Sequence, residues 1–436
     1  MNKIIFLLSM LLYTQSNYSQ KKETLNEVDK SLLVSNIGQL LIQNYIFEEL
    51  AFKMKESIDK QYKSNVYSKI VDPIKFADII NKSLNEIYFD KHLYVQYNPM
   101  LATELIESEK EEQEEEDSIS TYREINYGFS NVEILYGNIG YLNLTSFVSD
   151  DEEGLKTIES ALTFLQYTNA LIIDLRTNTG GSPDAVAAIS SFFFANTVHL
   201  NDSFDRSLNR LTEYWTMPEK ANVILTIPIY ILVSDKTFSA AEEFAYNLQK
   251  LSRATIVGER TAGGAHNTFV KPISADFVIY IPYGRAINPI TKTNWEKVGV
   301  QPDIEVASES ALEIATTKIV ENLLLNTTDE AEIFNLNWQL DLLKAKHSIL
   351  NLDLETLNNY AGMYDDKIIT LEKGKLFYQR IGKPKFELEP MKSNFMKPKG
   401  NNYFKIEFVA DSNKNIQHII VYYKDNRKEK SIKKSI

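Results

Sequence analysis

The sequence predicts an α/β protein whose core lies between an N-terminal, mainly helical domain and a small C-terminal antiparallel β domain. Three observations carry that class. Short apolar, β-branched runs (ALIIDLR at 170–176, PIYILVS at 228–234, ATIVGE at 254–259) have the composition of strands buried on both faces, and helical stretches separate them. Ahead of them, residues 23 to about 88 place apolar side chains at helical spacing. Behind them, from about 355, short strand-like runs are broken by Lys-Gly and Ser-Asn turns.

With 436 residues the chain is long enough for two or three domains, and at 44% hydrophobic and 24% charged it is globular in composition. A formal net charge of −12 argues against a polyanionic partner such as nucleic acid. The absence of cysteine excludes disulfides, thiol chemistry and a lipid-bearing cysteine at a processing site. Lys3, the apolar run from Ile4 to Tyr13 and the polar residues after it have signal-peptide architecture (1–19), with cleavage expected near Ser19 and Gln20. That run is too short to span a bilayer, and no later stretch is apolar enough to do so. The expectation is an exported protein, periplasmic or secreted, with no membrane span in its mature chain.

Taken in order, residues 20–117 form the expected helical domain. Leu33, Ile37, Leu40, Leu41 and Tyr45 recur at helical spacing, as do Ile79, Ile80, Leu84 and Ile87, and Asp72-Pro73 punctuates the stretch. Alternation from Leu93 indicates a strand with His92 at its mouth; a lone histidine is ordinarily a structural or surface residue. The acidic run ESEKEEQEEED at 107–117 reads as a solvated link and a domain boundary. The core, 118–306, opens with a strand, turn and strand in VEILYGNIGYLNLTSF and a helix from Asp150 to Tyr167. After the strand at 170–176 comes a helix, AVAAISSFFF, and FVIYIPYGRAINP is expected as the last part of a mostly parallel sheet. Residues 307–350 read as a helical connection on Leu312, Ile319, Leu323 and Leu324. The β domain, 351–436, holds no convergent catalytic set and ends in a basic stretch, RKEKSIKKS, expected to be a frayed solvated tail.

Three places in the core bear on chemistry. After PIYILVS, Thr237-Phe238 turns the chain and Ser239 opens a helix with Ala241, Phe244, Ala245 and Leu248 on one face. A serine at such a corner sits among unpaired helix N–H groups, a good place for a nucleophile whose reaction develops negative charge. Ser239-x-x-Glu242 is equally a capping box, which needs no catalysis. Gly180-Gly181, between a buried strand and a helix, allows backbone N–H groups to approach a ligand oxygen, or serves a tight turn. No GxxxxGK[ST] or GxGxxG accompanies the pair, which disfavours a phosphate cradle. Glu296, beside Trp295 and ahead of Gly299 and Pro302, is a candidate to orient a histidine, or a solvent-facing loop residue.

In that order, IGYLNLTSF, LIIDLRTNTGGSP, TFSAAEEFAYNL, ATIVGERTAGGAH and GRAINPITKTNWEKVGVQPDI resemble the tail-specific (C-terminal processing) serine peptidases. The branch they are most similar to is that of interphotoreceptor retinoid-binding protein. The resemblance covers about 130–306 and, less fully, the DKHL segment. It implies a ClpP/crotonase-like core and makes Ser239 the nucleophile, with Ala240 N–H and a glycine of the Gly180-Gly181 pair as the oxyanion hole. The loop lysine of the family's Ser–Lys dyad is replaced here by Gly264. Tricorn-type members instead use an upstream histidine and a glutamate before the GVxPD turn, positions that His92 and Glu296 match. His266, in the loop of Gly264, is a rival base or a substrate contact. Too few residues separate His92 from the core for the PDZ domain that many processing proteases carry.

What the resemblance implies is an exported serine endopeptidase with a Ser-His-Glu triad. It would act on peptides or unfolded proteins through an acyl-enzyme and use no metal, nucleotide or other cofactor. The alternative is a protein that binds peptide or a lipophilic ligand on the same scaffold without chemistry.

Overall fold

The computed structural model describes residues 24–108, 122–148, 152–347 and 350–434; the expected signal peptide and nearly all of the acidic run lie outside them. The chain folds into two compact units, each assembled from separated stretches. The first takes the N-terminal stretch up to Glu124 together with His199–Trp215 and Gly264–Lys297; the second takes Ile125–Val198, Thr216–Gly263 and everything from Val298.

In the first unit three helices, Glu27–Asn44, Glu48–Lys63 and Pro73–Ile87, pack on an antiparallel sheet. Their starts are written locally. Asn26 and Asp29 form a reciprocal capping box, and Asp72 accepts from Ile74 and Lys75 N–H ahead of Pro73 at the first helical position. The sheet holds β1 (Tyr94–Tyr97), β5 (His199–Asp205), β6 (Arg210–Trp215), β9 (His266–Pro272) and β10 (Phe277–Ile287). β10 is its spine: β9 runs along one edge, and β1 and then β5 share the other. Ile37, Leu41, Met54, Phe76, Ile80 and Leu84 meet Leu93, Val95, Phe277 and Ile279 in one core. The run FVIYIPYGRAINP therefore belongs to this antiparallel sheet and not to the parallel one. Only three residues, 274–276, part β9 and β10 once Ile273 bonds back to Phe277, so the two strands return on each other as a hairpin.

The second unit carries the parallel sheet: β2 (Phe129–Leu135), β3 (Ile139–Leu144), β4 (Ala170–Asp174), β7 (Ile229–Val233), β8 (Ala254–Gly258) and β11 (Ile304–Glu305). Its order is β11-β8-β7-β4-β3-β2, parallel throughout except for the β2–β3 hairpin. Every residue of β4 and β7 is buried, as their unbroken apolar composition requires. On one face lies the helix Ser308–Asn326, whose Ala311, Ala315, Ile319 and Val320 meet Ile172, Tyr230 and Leu232. Pro183–Ser190 packs with Ala240–Lys250, a helix buried all round from Ala240 to Leu248 and not along a single face. Phe244 sits there between Phe147 and Phe193.

The stretch expected as one helical connection is two helices, Ser308–Asn326 and Glu330–His347, parted where Asp329 accepts from Glu332 N–H and starts the second. After the helix Leu354–Tyr360 come eight strands: β12 (Gly362–Tyr364), β13 (Lys367–Glu372), β14 (Lys375–Arg380), β15 (Lys385–Lys392), β16 (Phe395–Pro398), β17 (Phe404–Ala410), β18 (Ile416–Tyr423) and β19 (Lys428–Ile432). Each pairs antiparallel with the next, and a bridge between Tyr364 and Lys433 joins the last strand to the first. The basic end is thus no frayed tail. Most of it is β19, whose Lys428, Glu429 and Lys430 pair with Tyr422, Val421 and Ile420 and close a nearly complete barrel around Tyr364, Ile406, Phe408 and Ile419.

Candidate active site

The nucleophile turn is built wholly within the second unit. Val233 ends β7, and Ser234, Thr237 and Phe238 after it are tied down. Ser234 Oγ donates to Arg176 O (2.5 Å), Thr237 Oγ1 to Leu175 O (2.8 Å), and Phe238 N to Asn178 O (3.1 Å). Ser239 emerges at φ 55°, ψ −123°, a conformation that costs a non-glycine residue about 1–3 kcal/mol, and the helix begins at Ala240. Strand, strained serine, buried helix: this is the geometry that lifts a side chain clear at a strand–helix corner.

Glu242 holds the turn. Its side chain is wholly buried; one oxygen accepts from Ser239 N (3.0 Å), the other from Thr261 Oγ1 (2.5 Å) and Gly263 N (2.6 Å). Thr261 Oγ1 accepts in turn from Val300 N at 2.6 Å. The Glu242 of the capping box therefore also braces the 261–263 loop. The spacing Ser-x-x-Glu announced a helix start, but nothing in it foretold that reach.

Both glycines are spatial necessities. A Cβ on Gly180 (φ 110°) would stand 2.8 Å from Ser239 Cβ and 3.0 Å from Ala240 N. One on Gly181 (φ 142°) would strike Phe147 O at 1.8 Å. Gly180 N–H is already given to Asn178 Oδ1 at 2.8 Å. Ala240 N–H, at the first helical position, and Gly181 N–H donate to no protein group among the described residues.

An imidazole–carboxylate cluster forms within the first unit. Asp90, His92, His266 and Glu296 come together there, with Tyr45. Asp90, buried ahead of β1, is the hub. Its Oδ1 accepts from His92 N (3.0 Å); its Oδ2 meets His266 Nδ1 (2.8 Å) and accepts from Tyr45 OH (3.0 Å). Glu296 Oε2 lies 3.8 Å from the same His266 nitrogen and accepts from Ala265 N at 2.7 Å. Trp295 Nε1 donates to Gly264 O (2.7 Å), and Phe47 meets the His266 ring edge-on at 5.5 Å. Of the two carboxylates, Glu296 approaches His266, while His92 is tied to Asp90 through its backbone.

Burial acts differently on the members. It pushes His92 down to about 4, the Asp90 charge opposing and the His266 charge reinforcing the shift, so His92 is a neutral imidazole at neutral pH. For Asp90 burial works upward, but the hydrogen bond and charge of His266 prevail and hold the carboxyl below its ordinary range. Burial raises Glu296, against the pull of His266 and the Ala265 N–H. Donor atoms of Asp90, His266 and Glu296 lie within 4.8 Å of one another, near enough for a cation. The 2.8 Å His266–Asp90 separation and the Ala265 N–H on Glu296 are, however, those of a hydrogen-bonded cluster.

Asp90 and Tyr45 were absent from the sequence-based candidates. Asp90 was within reach, because an aspartate two residues before a strand entry folds its oxygen back on the following N–H. Tyr45, 45 residues upstream, carried no local signal.

Residues 138–306 match peptidase family S41, and residues 27–126 match the N-terminal domain of peptidase S41 in eukaryotic IRBP. The chain is 30% identical to carboxyl-terminal-processing peptidase 2, chloroplastic, of Arabidopsis thaliana, over 38% of this chain and 31% of that protein. It is 28% identical to the carboxy-terminal-processing protease of Bartonella bacilliformis, over 39% of each. The matched part thus spans about a third of these curated relatives. A solved structure, the photosystem II D1 C-terminal processing protease, aligns at 18% identity and a TM-score of 0.40 over 64% of this chain and 94% of its own. Among the described residues no helix is long and apolar enough to cross a membrane. By its two family matches, the chain belongs to peptidase family S41.

Proposed function

We propose that the chain is an exported serine endopeptidase that hydrolyses peptide bonds of extended or unfolded polypeptides through an acyl-enzyme at Ser239, without metal or nucleotide. The observation that carries this reading is the strained Ser239 backbone at a buried helix start, with Gly180 pressed against it. In this mechanism Ser239 Oγ attacks the scissile carbonyl carbon as His92, neutral at working pH, takes its proton. The N–H groups of Ala240 and Gly181 receive the oxyanion. Gly180, whose own N–H is engaged, supplies room. The proton passes to the leaving amine, and water then cleaves the ester by the reverse sequence. Asp90 fixes the turn that bears His92, and Glu296 with His266 completes the charge around it.

A second assignment of the base is favoured by one contact. His266 Nδ1 rests on buried Asp90, the pairing that fixes a tautomer and leaves Nε2 as acceptor. On the same scaffold, a binding protein without chemistry is the rival class. The test is hydrolysis of an unfolded protein by the parent and by Ser239→Ala. The parent should cut it and the variant should not, at unchanged circular dichroism; equal cutting by the variant would reject Ser239, and no cutting by either would favour the binding protein.

A further inference from the structure

We propose that β6 is a docking strand, along whose open edge an extended polypeptide segment pairs before cleavage; the proposal rests on the peptidase reading above. The register states which groups are on offer. Arg206 N donates to Tyr283 O at 3.1 Å, so Asp202 and Phe204 of β5 turn their backbone groups to β10 and Asn201, Ser203 and Asp205 turn theirs to β6; past the bulge between His199 and Asn201, Thr216 N donates to Val198 O at 2.9 Å. On β6, Arg210, Thr212 and Tyr214 therefore bond to β5. Leu211, Glu213 and Trp215 aim N–H and C=O away from the sheet, which ends at this strand.

Natural proteins blunt such edges with proline, bulges or a covering element. The far edge of the sheet, β9, has the helix Pro99–Ser108 against it. β6 contains no proline, and the bulge in its pairing lies on β5, between His199 and Asn201, leaving β6 itself regular. Its outward residues also present exposed side chains, Leu211 at 51% and Trp215 at 41%. Trp215 is held in place in advance: its ring stacks on His199 at 4.2 Å and its Nε1 donates to Glu213 Oε2 at 3.0 Å. His199 is in turn fixed by Asp202 at 2.7 Å. An extended peptide adds to an open strand edge through main-chain bonds that supply affinity, while pockets for alternate side chains supply preference; the fixed Trp215 ring offers such a surface.

The occupant follows from charge. A second copy paired two-fold about the centre of this edge would set Glu213 against itself, which destabilises a cross-strand pair. A foreign segment with a basic residue opposite Glu213 and apolar residues opposite Leu211 and Trp215 satisfies all three. The partner class is an extended segment whose every second residue runs apolar, basic, apolar.

The experiment uses the full chain with Ser239→Ala, so that bound peptide is not cut, and a probe peptide with the repeat Val-Thr-Lys-Thr-Val, which sets lysine opposite Glu213 and valine opposite Leu211 and Trp215. Trp295 and Trp338 are 1% and 4% exposed, so acrylamide quenching reports on Trp215. Peptide should protect that fluorescence, and N-methylation of alternate peptide amides should weaken binding at least tenfold. Glu213→Pro, which removes an outward N–H and spares the β5 ladder, should weaken it as much and raise KM for hydrolysis in the otherwise unaltered chain. Insensitivity to N-methylation, unchanged KM in Glu213→Pro, or protection that arises from self-association would overturn the proposal. Binding without cleavage by the unaltered chain would instead leave docking standing and remove the peptidase reading; cleavage with unchanged KM in Glu213→Pro would do the reverse.

Discussion

His92 and His266 lie in one cluster and are held in different ways. His266 has its Nδ1 on Asp90, whereas His92 is bound to the same carboxylate by its main chain. If His92 is the base, His92→Ala lowers kcat at least a hundredfold, toward the low end expected of general-base loss, and by more than His266→Ala does; the opposite ranking moves the base to His266. Its pKa gives a second handle. An unfolded histidine takes a proton near 6.5, but His92 resists until about 4, so the unfolded state binds more protons across that window and stability falls as pH drops through it. The loss is about 3 kcal/mol, fully incurred below about 4, and His92→Gln should flatten this part of a denaturation series between pH 6.5 and 4. A slope equal to the parent's would mean that His92 is not buried neutral. At this scale the sequence carried residue types and spacing, enough to single out His92, His266 and Glu296 as candidates. It gave no hint that Asp90 would serve both histidines, because that convergence joins residues 176 positions apart.

Elements explain why Ser239 can stay strained. The turn after β7 is braced from three sides: by the Leu175–Asn178 backbone, by the 261–263 loop through Glu242, and by the buried helix that starts at Ala240. Glu242→Ala leaves two backbone N–H groups and a hydroxyl without their acceptor, and should cost about 3 kcal/mol in urea unfolding. Glu242→Gln keeps the shape and should cost less while still lowering kcat; equal stability for Glu242→Ala would show that the brace is idle. Strand and helix starts here were legible, since β4, β7, β8 and the Ser239 corner follow from apolar runs and turn residues. Partnership was not. β10 reads as a buried strand from composition alone, and its pairing with β9, β1 and β5 sends it to the antiparallel sheet.

For the whole chain, the units alternate along the sequence: two stretches from its middle, His199–Trp215 and Gly264–Lys297, join the N-terminal helices. A linear scan for composition shifts marks the acidic run and has no means of detecting such a return. The C-terminal barrel was legible as antiparallel β structure, but its closure was hidden in a stretch whose charge reads as solvent-facing. Removing residues 428–436 deletes β19 and the bridge to Tyr364, exposing the Ile419–Val421 edge. The shortened chain should show a lower Tm and added binding of an apolar dye; an unchanged melting curve would mean that closure contributes nothing to stability. The most direct measurement of the central claim is labelling of the intact, folded chain with a fluorophosphonate probe, followed by digestion and mapping of the modified peptide. The account predicts one adduct, on Ser239, lost in Ser239→Ala; a folded parent chain that takes no label, or takes it on another residue, would contradict it.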